Sequence, residues 1–335
     1  MDTNYRERMS FRAVLILLAA LACGFSIASI LISDFFVAVS SACLTVLLLS
    51  ERRGKKTFSL ISVASIIGLN AIFFAVAHFT QIMTYNIAGV QTVFMTAVLY
   101  FMFKKNVGKG KTVLALFLSC VLFFALSLWL VSASYNGSFS FVTAFNFYKN
   151  LIVELRDGFV ASIASLADQL EGEAIAEMLA EEVVLGIANQ FISMLPAIFL
   201  IAAIAITGLT CKIFTYTVYR TTGNTRIYEW KFVPHSILAY IYSILFVLYV
   251  VFSGKSDAFS LVVVNSTIVL MVLYAYFGFS FVTVLLSLRH TRGFSWSIII
   301  VALIIAPPIA LTVLSFFGVA FNVLYSKRQK MNFQP

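Results

Sequence analysis

The chain carries little charge and few residues that interrupt a helix. Of its 335 residues only 11% are charged, five are proline and four are cysteine. A soluble domain usually has about a quarter of its residues charged. The low charge, together with a hydrophobic share of 61%, argues against a soluble globular protein and indicates an integral membrane protein. The apolar runs are continuous rather than alternating, which excludes a barrel of strands.

Motifs for catalysis and metal binding are lacking. The sequence has no Walker loop, no G-x-S-x-G and no H-E-x-x-H. Its cysteines lie in apolar segments without metal-ligand spacing. The apolar runs hold hardly any ionisable groups, since Asp34 falls at a turn and Lys212 is close enough to a run's end to reach the interface. We therefore predict a protein that is not an enzyme, holds no metal or cofactor, and has no buried carboxylate suited to proton coupling.

The net charge of +9 is explained by the position of the basic residues beside membrane spans. Lys and Arg stand in short clusters beside the apolar runs, where they face anionic headgroups. The predicted partner is therefore membrane lipid, and nucleic acid is excluded. Arg6, Arg8 and Arg12 precede the first run, which is longer than the core of a signal peptide and is predicted to be a retained anchor.

The apolar runs predict an all-α, polytopic transmembrane bundle of about 8–9 spans. The predicted spans cover residues 13–32, 35–49, 58–77, 82–103, 112–133, 195–218, 234–252 and 259–288. Lys and Arg concentrate in every second linker, so the positive-inside rule predicts a cytoplasmic N-terminus in the cell membrane. Three regions follow: a five-span membrane region over 1–134, an external insertion over 135–190, and a C-terminal membrane region over 191–335.

The insertion is the only long hydrophilic stretch. Its apolar residues recur at helical spacing on both sides of Gly172, which predicts two amphipathic helices. Pro196 is predicted to stand in the first turn of the span that follows. Glu173, Glu177 and Glu181 form a stripe that is either a solvated helix face or a site for a cation.

The last apolar segment, 294–325, contains Pro307-Pro308. Proline removes a helical hydrogen-bond donor, so the segment is either a kinked ninth span or a hairpin of two short helices. The kinked span would leave the basic tail outside, whereas the hairpin would return it to the cytoplasm.

Uncharged polar side chains lie in or beside the predicted third, fourth and eighth spans. They are Asn70, His78, Gln81, Asn86, Gln91 and Asn265. Amides in lipid are costly unless hydrogen-bonded, so these residues either bond neighbouring helices or line a pocket for a neutral or zwitterionic solute. The pocket hypothesis places His78 and Gln81 at its lip and Asn70, Asn86 and Gln91 at its floor.

Small residues recur at intervals of four in the first span, at Ala20, Gly24 and Ala28. Such spacing lets two helix backbones approach closely. The stripe is therefore predicted to pack inside the bundle or to dock a partner membrane subunit.

Several short motifs in the C-terminal half resemble those of a known family. They are Met194-Leu195-Pro196, Trp230-Lys231-Phe232 with Pro234, Asn265 before the run Val272 to Phe279, and Pro307-Pro308 before Phe317-Gly318. This layout resembles the YybS-like bacterial membrane proteins, a family of unknown function. That family is distantly similar to the substrate-binding (S) components of energy-coupling-factor transporters. The resemblance implies a solute-binding subunit that docks on a transmembrane and ATPase module through its first span.

Two functions are therefore kept open. The first is a small-solute-binding membrane subunit or transporter component, which the amides and the resemblance favour. The second is a non-catalytic assembly or scaffold protein of the membrane, which the insertion and the small-residue stripe favour. A lipid-modifying enzyme is disfavoured because the chain has too few acids and bases at depth.

Overall fold

Every regular element in the described ranges is a helix. The structure, a computed structural model, describes residues 11–51, 54–80, 86–137, 140–167, 181–222, 236–252, 258–287, 297, 301 and 305–332. The helices are α1 (Phe11–Leu31), α2 (Phe36–Ser50), α3 (Thr57–Phe79), α4 (Ala88–Lys104), α5 (Lys109–Asn136), α6 (Phe141–Ala167), α7 (Glu181–Thr222), α8 (Ser236–Phe252), α9 (Ala258–Ser287) and α10 (Pro307–Asn332). The predicted all-α class is confirmed.

Five helical stretches of the described chain are long and apolar enough to cross a membrane. They are Phe11–Leu31, Thr57–Phe79, Lys109–Ser134, Ser193–Tyr219 and Ala258–Phe279. Phe36–Ser50, Ala88–Lys104, Ser236–Phe252 and Pro308–Leu324 are apolar but shorter. The protein is thus a helical membrane protein with several apolar helices, and the larger number of spans stays a prediction.

The chain forms two compact units. Unit 1 contains Met1–Val184 and Ala202–Lys231, and unit 2 contains Leu185–Ile201 and Phe232–Pro335. Each unit groups helices that contact one another, and each contains two separate stretches of the chain. The three regions predicted from the sequence are consecutive stretches instead, and they stay a prediction.

The short helix α2 lies in the core of unit 1. Its residues from Val37 to Leu47, apart from Val39, are buried. Small polar groups on it bond to neighbouring backbone: Ser40 Oγ donates to the carbonyl of Ala22 on α1 at 2.6 Å. Burial in protein removes the need for α2 to match the lipid thickness, which explains how a helix this short is accommodated.

The start of α3 is capped by an acid from the preceding linker. Glu51 Oε1 accepts the backbone N–H of Phe58 at 2.8 Å, and Oε2 accepts the hydroxyl of Ser59. The first N–H groups of a helix have no partner inside the helix. A carboxylate beside them is also favoured by the helix dipole. Although Glu51 is only 7% exposed, its carboxylate is therefore satisfied.

Helices α5 and α6 form a hairpin. Gly137 ends α5 with φ of +64°, a left-handed conformation that glycine adopts without strain. The backbone N–H of Ser140 then donates to Ser132 Oγ at 3.0 Å, and the rings of Trp129 and Phe141 lie 5.7 Å apart. The predicted insertion thus contributes α6, whereas Gly172, Glu173 and Glu177 lie outside the described residues. Its amphipathic external character stays a prediction.

The position predicted for Pro196 is wrong. Pro196 lies inside α7, which runs without interruption from Glu181 to Thr222. Asn265 of α9 supports this position within unit 2: its Oδ1 accepts the N–H of Ala197 at 3.0 Å, and its Nδ2 donates to the carbonyl of Ser193 at 2.8 Å. Those two backbone groups bond each other in a regular helix. The amide bridges them, so the helix continues through the proline.

Helices α9 and α10 cross in close backbone contact within unit 2. A Cβ atom placed on Gly278 would lie 1.8 Å from the carbonyl oxygen of Leu314, and one on Gly318 would lie 1.9 Å from that of Tyr274. No side chain fits between the two backbones at this crossing. The pair is therefore a small-residue contact of the kind that membrane helices use to approach closely.

The two helices run in the same direction. Thr312 Oγ1 donates to Met271 Sδ at 3.6 Å, and the rings of Phe281 and Phe321 lie 5.0 Å apart. Residue numbers thus rise together along both helices. The C-terminal end of α10 therefore lies at the same end of unit 2 as the C-terminal end of α9. Most of residues 288–304 lie outside the described residues, so the choice between a kinked span and a hairpin stays a prediction. Pro307 begins α10, where its missing N–H leaves no helical bond unmade.

Candidate functional site

A cluster of polar residues lies in unit 1 where α1 ends and α4 begins. Asn86 is its centre, with Nδ2 at 3.2 Å from the carbonyl oxygens of Ser29 and Ile30 and 3.4 Å from Asp34 Oδ1. The last carbonyls of a helix have no partner within it. Asn86 therefore satisfies the end of α1 and fixes it to the start of α4.

Asn70 joins this cluster from α3. Its Nδ2 donates to the backbone carbonyl of Asn86 at 2.9 Å, and the residue is 4% exposed. Gly89 of α4 packs directly on it, since a Cβ atom there would lie 2.7 Å from Asn70 Cβ. The close approach of α3 and α4 holds the Asn70 amide in place.

Asp34 brings a carboxylate to the cluster. It stands in the turn between α1 and α2, where partial burial raises its pKa and the hydrogen bond from Asn86 lowers it by less. Desolvation disfavours the charged form of an acid. Burial also raises the pKa of Tyr148 on α6, and the charge of Asp34 raises it further.

An open groove adjoins the cluster between α3 and the start of α4. It has a volume of about 340 Å³, which is at the lower end of the range of small-molecule sites. Asn70, which is almost fully buried, is the one polar residue of its lining, and the remaining lining is apolar. The other lining residues are Ile67, Ala71, Phe74, Ala75, Ile87 and Val90. The groove thus offers an apolar surface with one amide-bearing residue in its lining.

The predicted solute-binding amides do not all meet. Asn70 and Asn86 are bonded together, and Gln91 lies deeper, 3% exposed, with Nε2 at 4.0 Å from Met95 Sδ. His78 is exposed at the end of α3, and its ring lies 6.0 Å from that of Phe79. Asn265 belongs to unit 2, where it bonds α7. Gln81 lies outside the described residues. Ligand binding by this set stays a prediction.

The small-residue stripe of α1 faces outward from unit 1. Ala20 and Gly24 are exposed and Ala28 is partly exposed, and a Cβ atom on Gly24 would meet nothing within 4 Å. The opposite face, with Leu18 and Ala22, is buried. The stripe therefore does not pack against the described part of unit 1.

Sequence reasoning missed the carboxylate of the cluster. The sequence places Asp34 at a turn and predicts no buried carboxylate suited to proton coupling. The structure instead partly buries Asp34 against Asn86. A signal was present: Asp34 is the single charged residue between two long apolar runs, and such a residue is often held by a partner from another span.

Comparison with known proteins identifies the family. A family model described as a predicted membrane protein (DUF2232) matches residues 83–320, well over half of the chain. The match includes Asn86, Gln91 and Asn265, while Asp34 and Asn70 precede it. No curated protein and no solved structure is similar enough to match the chain. The chain therefore belongs to the DUF2232 family of predicted membrane proteins.

Proposed function

We propose that the protein is a small-solute-binding membrane subunit or transporter component, without catalytic activity. The groove beside Asn70 carries this proposal, because its apolar lining and its single amide suit a small solute with one hydrogen-bonding group. Asn70 cannot turn away easily, since Gly89 packs against it and Asn86 accepts its hydrogen bond. The YybS-like resemblance and its distant similarity to substrate-binding components support the same function.

The proposed topology has about 8–9 spans and a cytoplasmic N-terminus. Its support is the alternation of basic linkers, together with the shorter apolar helices, such as Phe36–Ser50 and Ala88–Lys104, beside the long ones. In this topology the α1–α2 turn with Asp34 lies outside the cell, so the groove opens near the outer surface. A reporter fused after Lys109 that is exported would contradict it.

Filling the groove should abolish solute binding. Ala71 lines the groove and is exposed, so Ala71→Trp blocks it without breaking any hydrogen bond of Asn86. Mass spectrometry of small molecules released from purified protein should find a compound enriched with the wild type and reduced at least about tenfold in Ala71→Trp, which is a loss of about 1.4 kcal/mol of binding free energy.

The matched control is Ile72→Trp, one residue along α3. Ile72 is 62% exposed but does not line the groove, so this variant should retain the compound. Equal amounts in all three proteins, or no enriched compound in the wild type, would reject the groove as a binding site.

The exposed stripe of α1 favours a partner subunit as part of the same proposal. A facing helix could approach Gly24 closely, because nothing occupies the space within 4 Å of its Cβ position. A transmembrane or ATPase transporter module is the proposed partner. ATP hydrolysis should co-elute with the wild type in the same preparations and be lost with Gly24→Leu, and its absence from the wild type would contradict this partner. Without such a partner, the alternative is a non-catalytic assembly protein.

A further inference from the structure

Two lysines of unit 1 gather on one tyrosine. Lys56 Nζ donates to Tyr100 Oη at 2.9 Å and lies 4.7 Å from the centre of the same ring. Lys104 Nζ lies 5.7 Å from that centre. Lys56 immediately precedes α3 and Lys104 ends α4, so both ammonium groups lie at the ends of apolar helices. We refer to Lys56, Tyr100 and Lys104 as the lysine–tyrosine cluster.

Both ammonium groups lie against the same ring, so two like charges share one small region of the surface, and an anion bound there would offset their repulsion. The acid of the same linker is engaged elsewhere, since the Glu51 carboxylate caps the backbone of Phe58 and Ser59. The phenol ring attracts each cation but carries no compensating full charge. A phosphate would supply that charge and several acceptor oxygens, and lysine binds it as a point charge.

Exposed apolar side chains lie about one helical turn from each lysine. Leu60 is one helical turn after Lys56 on α3 and is 69% exposed, and Phe101 is three residues before Lys104 on α4 and is 57% exposed. Residues three or four apart share a helix face. Each lysine therefore stands at a helix end with an exposed apolar side chain about one turn further into the helix. A lipid has the same order, with its headgroup outside its acyl chains.

We propose that the lysine–tyrosine cluster binds the phosphate of an anionic phospholipid, whose acyl chains lie along Leu60 and Phe101. Tyr100 positions Lys56 through the hydrogen bond to its hydroxyl. A free phosphate would use the same two cations, but it would gain nothing from the apolar surfaces below them.

Native mass spectrometry of the purified full-length chain tests this site. Phosphatidylglycerol and phosphatidylcholine with the same acyl chains are titrated separately, and the wild type should retain the anionic lipid preferentially. Each lysine near a headgroup contributes a factor on the order of five in affinity, so K56Q/K104Q should lose about 25-fold for phosphatidylglycerol. Y100F should show a smaller loss, because it removes the hydroxyl that holds Lys56.

The matched control is K105Q/K111Q, which removes the same charge from Lys105, just after α4, and from Lys111, in the first turn of α5. Both lie outside the cluster, so this variant should bind nearly as the wild type. Equal retention of phosphatidylglycerol by K56Q/K104Q and the control would overturn the site, as would no lipid preference in the wild type. Displacement of the lipid by millimolar inorganic phosphate would overturn the lipid assignment in favour of a soluble anion. If K56Q/K104Q does not fold, the wild-type preference and Y100F still decide the outcome.

Discussion

Replacing Gly318 by alanine should separate α9 from α10 and destabilise unit 2. The new methyl group would lie 1.9 Å from the carbonyl oxygen of Tyr274, and backbone cannot move aside as a flexible side chain can. The two helices must therefore shift apart along their contact. Overpacking a core usually costs about 1–3 kcal/mol, and a clash with backbone should lie at or above the upper end of that range.

Gly278→Ala should have the same effect, because its added methyl would lie 1.8 Å from the carbonyl oxygen of Leu314. Thermal unfolding in detergent, followed by the loss of monodisperse protein on size exclusion, measures both variants.

The matched control is Gly68→Ala in α3, where a Cβ atom meets nothing within 4 Å. That substitution should change stability by at most about 1 kcal/mol, in the stabilising direction, since alanine favours a helix. A Gly318→Ala protein as stable as the control would show that α9 and α10 do not cross at these glycines.

Asn265→Leu should destabilise the protein by about 2 kcal/mol. The amide makes three bonds to backbone, with Ala197 N–H and with the carbonyls of Ser193 and Leu261. Leucine leaves the groups of α7 unbridged beside Pro196, and a buried backbone group without a partner costs about 1–3 kcal/mol. The measurement is again thermal unfolding of the purified chain.

A double-mutant cycle with Pro196→Ala isolates the cause. Without the proline, α7 regains an N–H at position 196, and Ala197 and Ser193 can bond each other directly. Pro196→Ala should therefore recover most of the stability lost in Asn265→Leu. Additive effects of the two substitutions would show that Asn265 acts independently of the proline.

Helix positions followed directly from the sequence. The predicted runs 13–32 and 259–288 correspond to α1 at Phe11–Leu31 and α9 at Ala258–Ser287. Membrane helices must satisfy their backbone internally, so continuous apolar runs locate them with little ambiguity. The predicted helix start at Pro196 is wrong because sequence rules place proline in the first turn of a helix. The amide that compensates for it belongs to Asn265, far along the chain.

The polar groups of the candidate site were found only in part. Asn70 and Asn86 were selected because amides are rare in apolar runs, and the structure does bring them together. The sequence analysis does not include Asp34 among the candidate site residues, because a residue in a turn is expected to be exposed. Its partner Asn86 is 52 residues away in the chain. The sequence around Asp34 marks an isolated charge between apolar runs, but it does not indicate which residue contacts it.

By itself, the sequence determined that this is a helical membrane protein, because long apolar runs with few charges are stable in lipid only as helices. Only the tertiary structure decided which contacts are made by the small and polar residues among the apolar ones. Gly278 and Gly318 became a helix contact, Asn265 a bridge across Pro196, and Asn86 the bond that closes the end of α1. The physical reason is that the structural role of a polar or small residue in an apolar helix depends on the group that it contacts. That group lies on another helix, far away in the sequence.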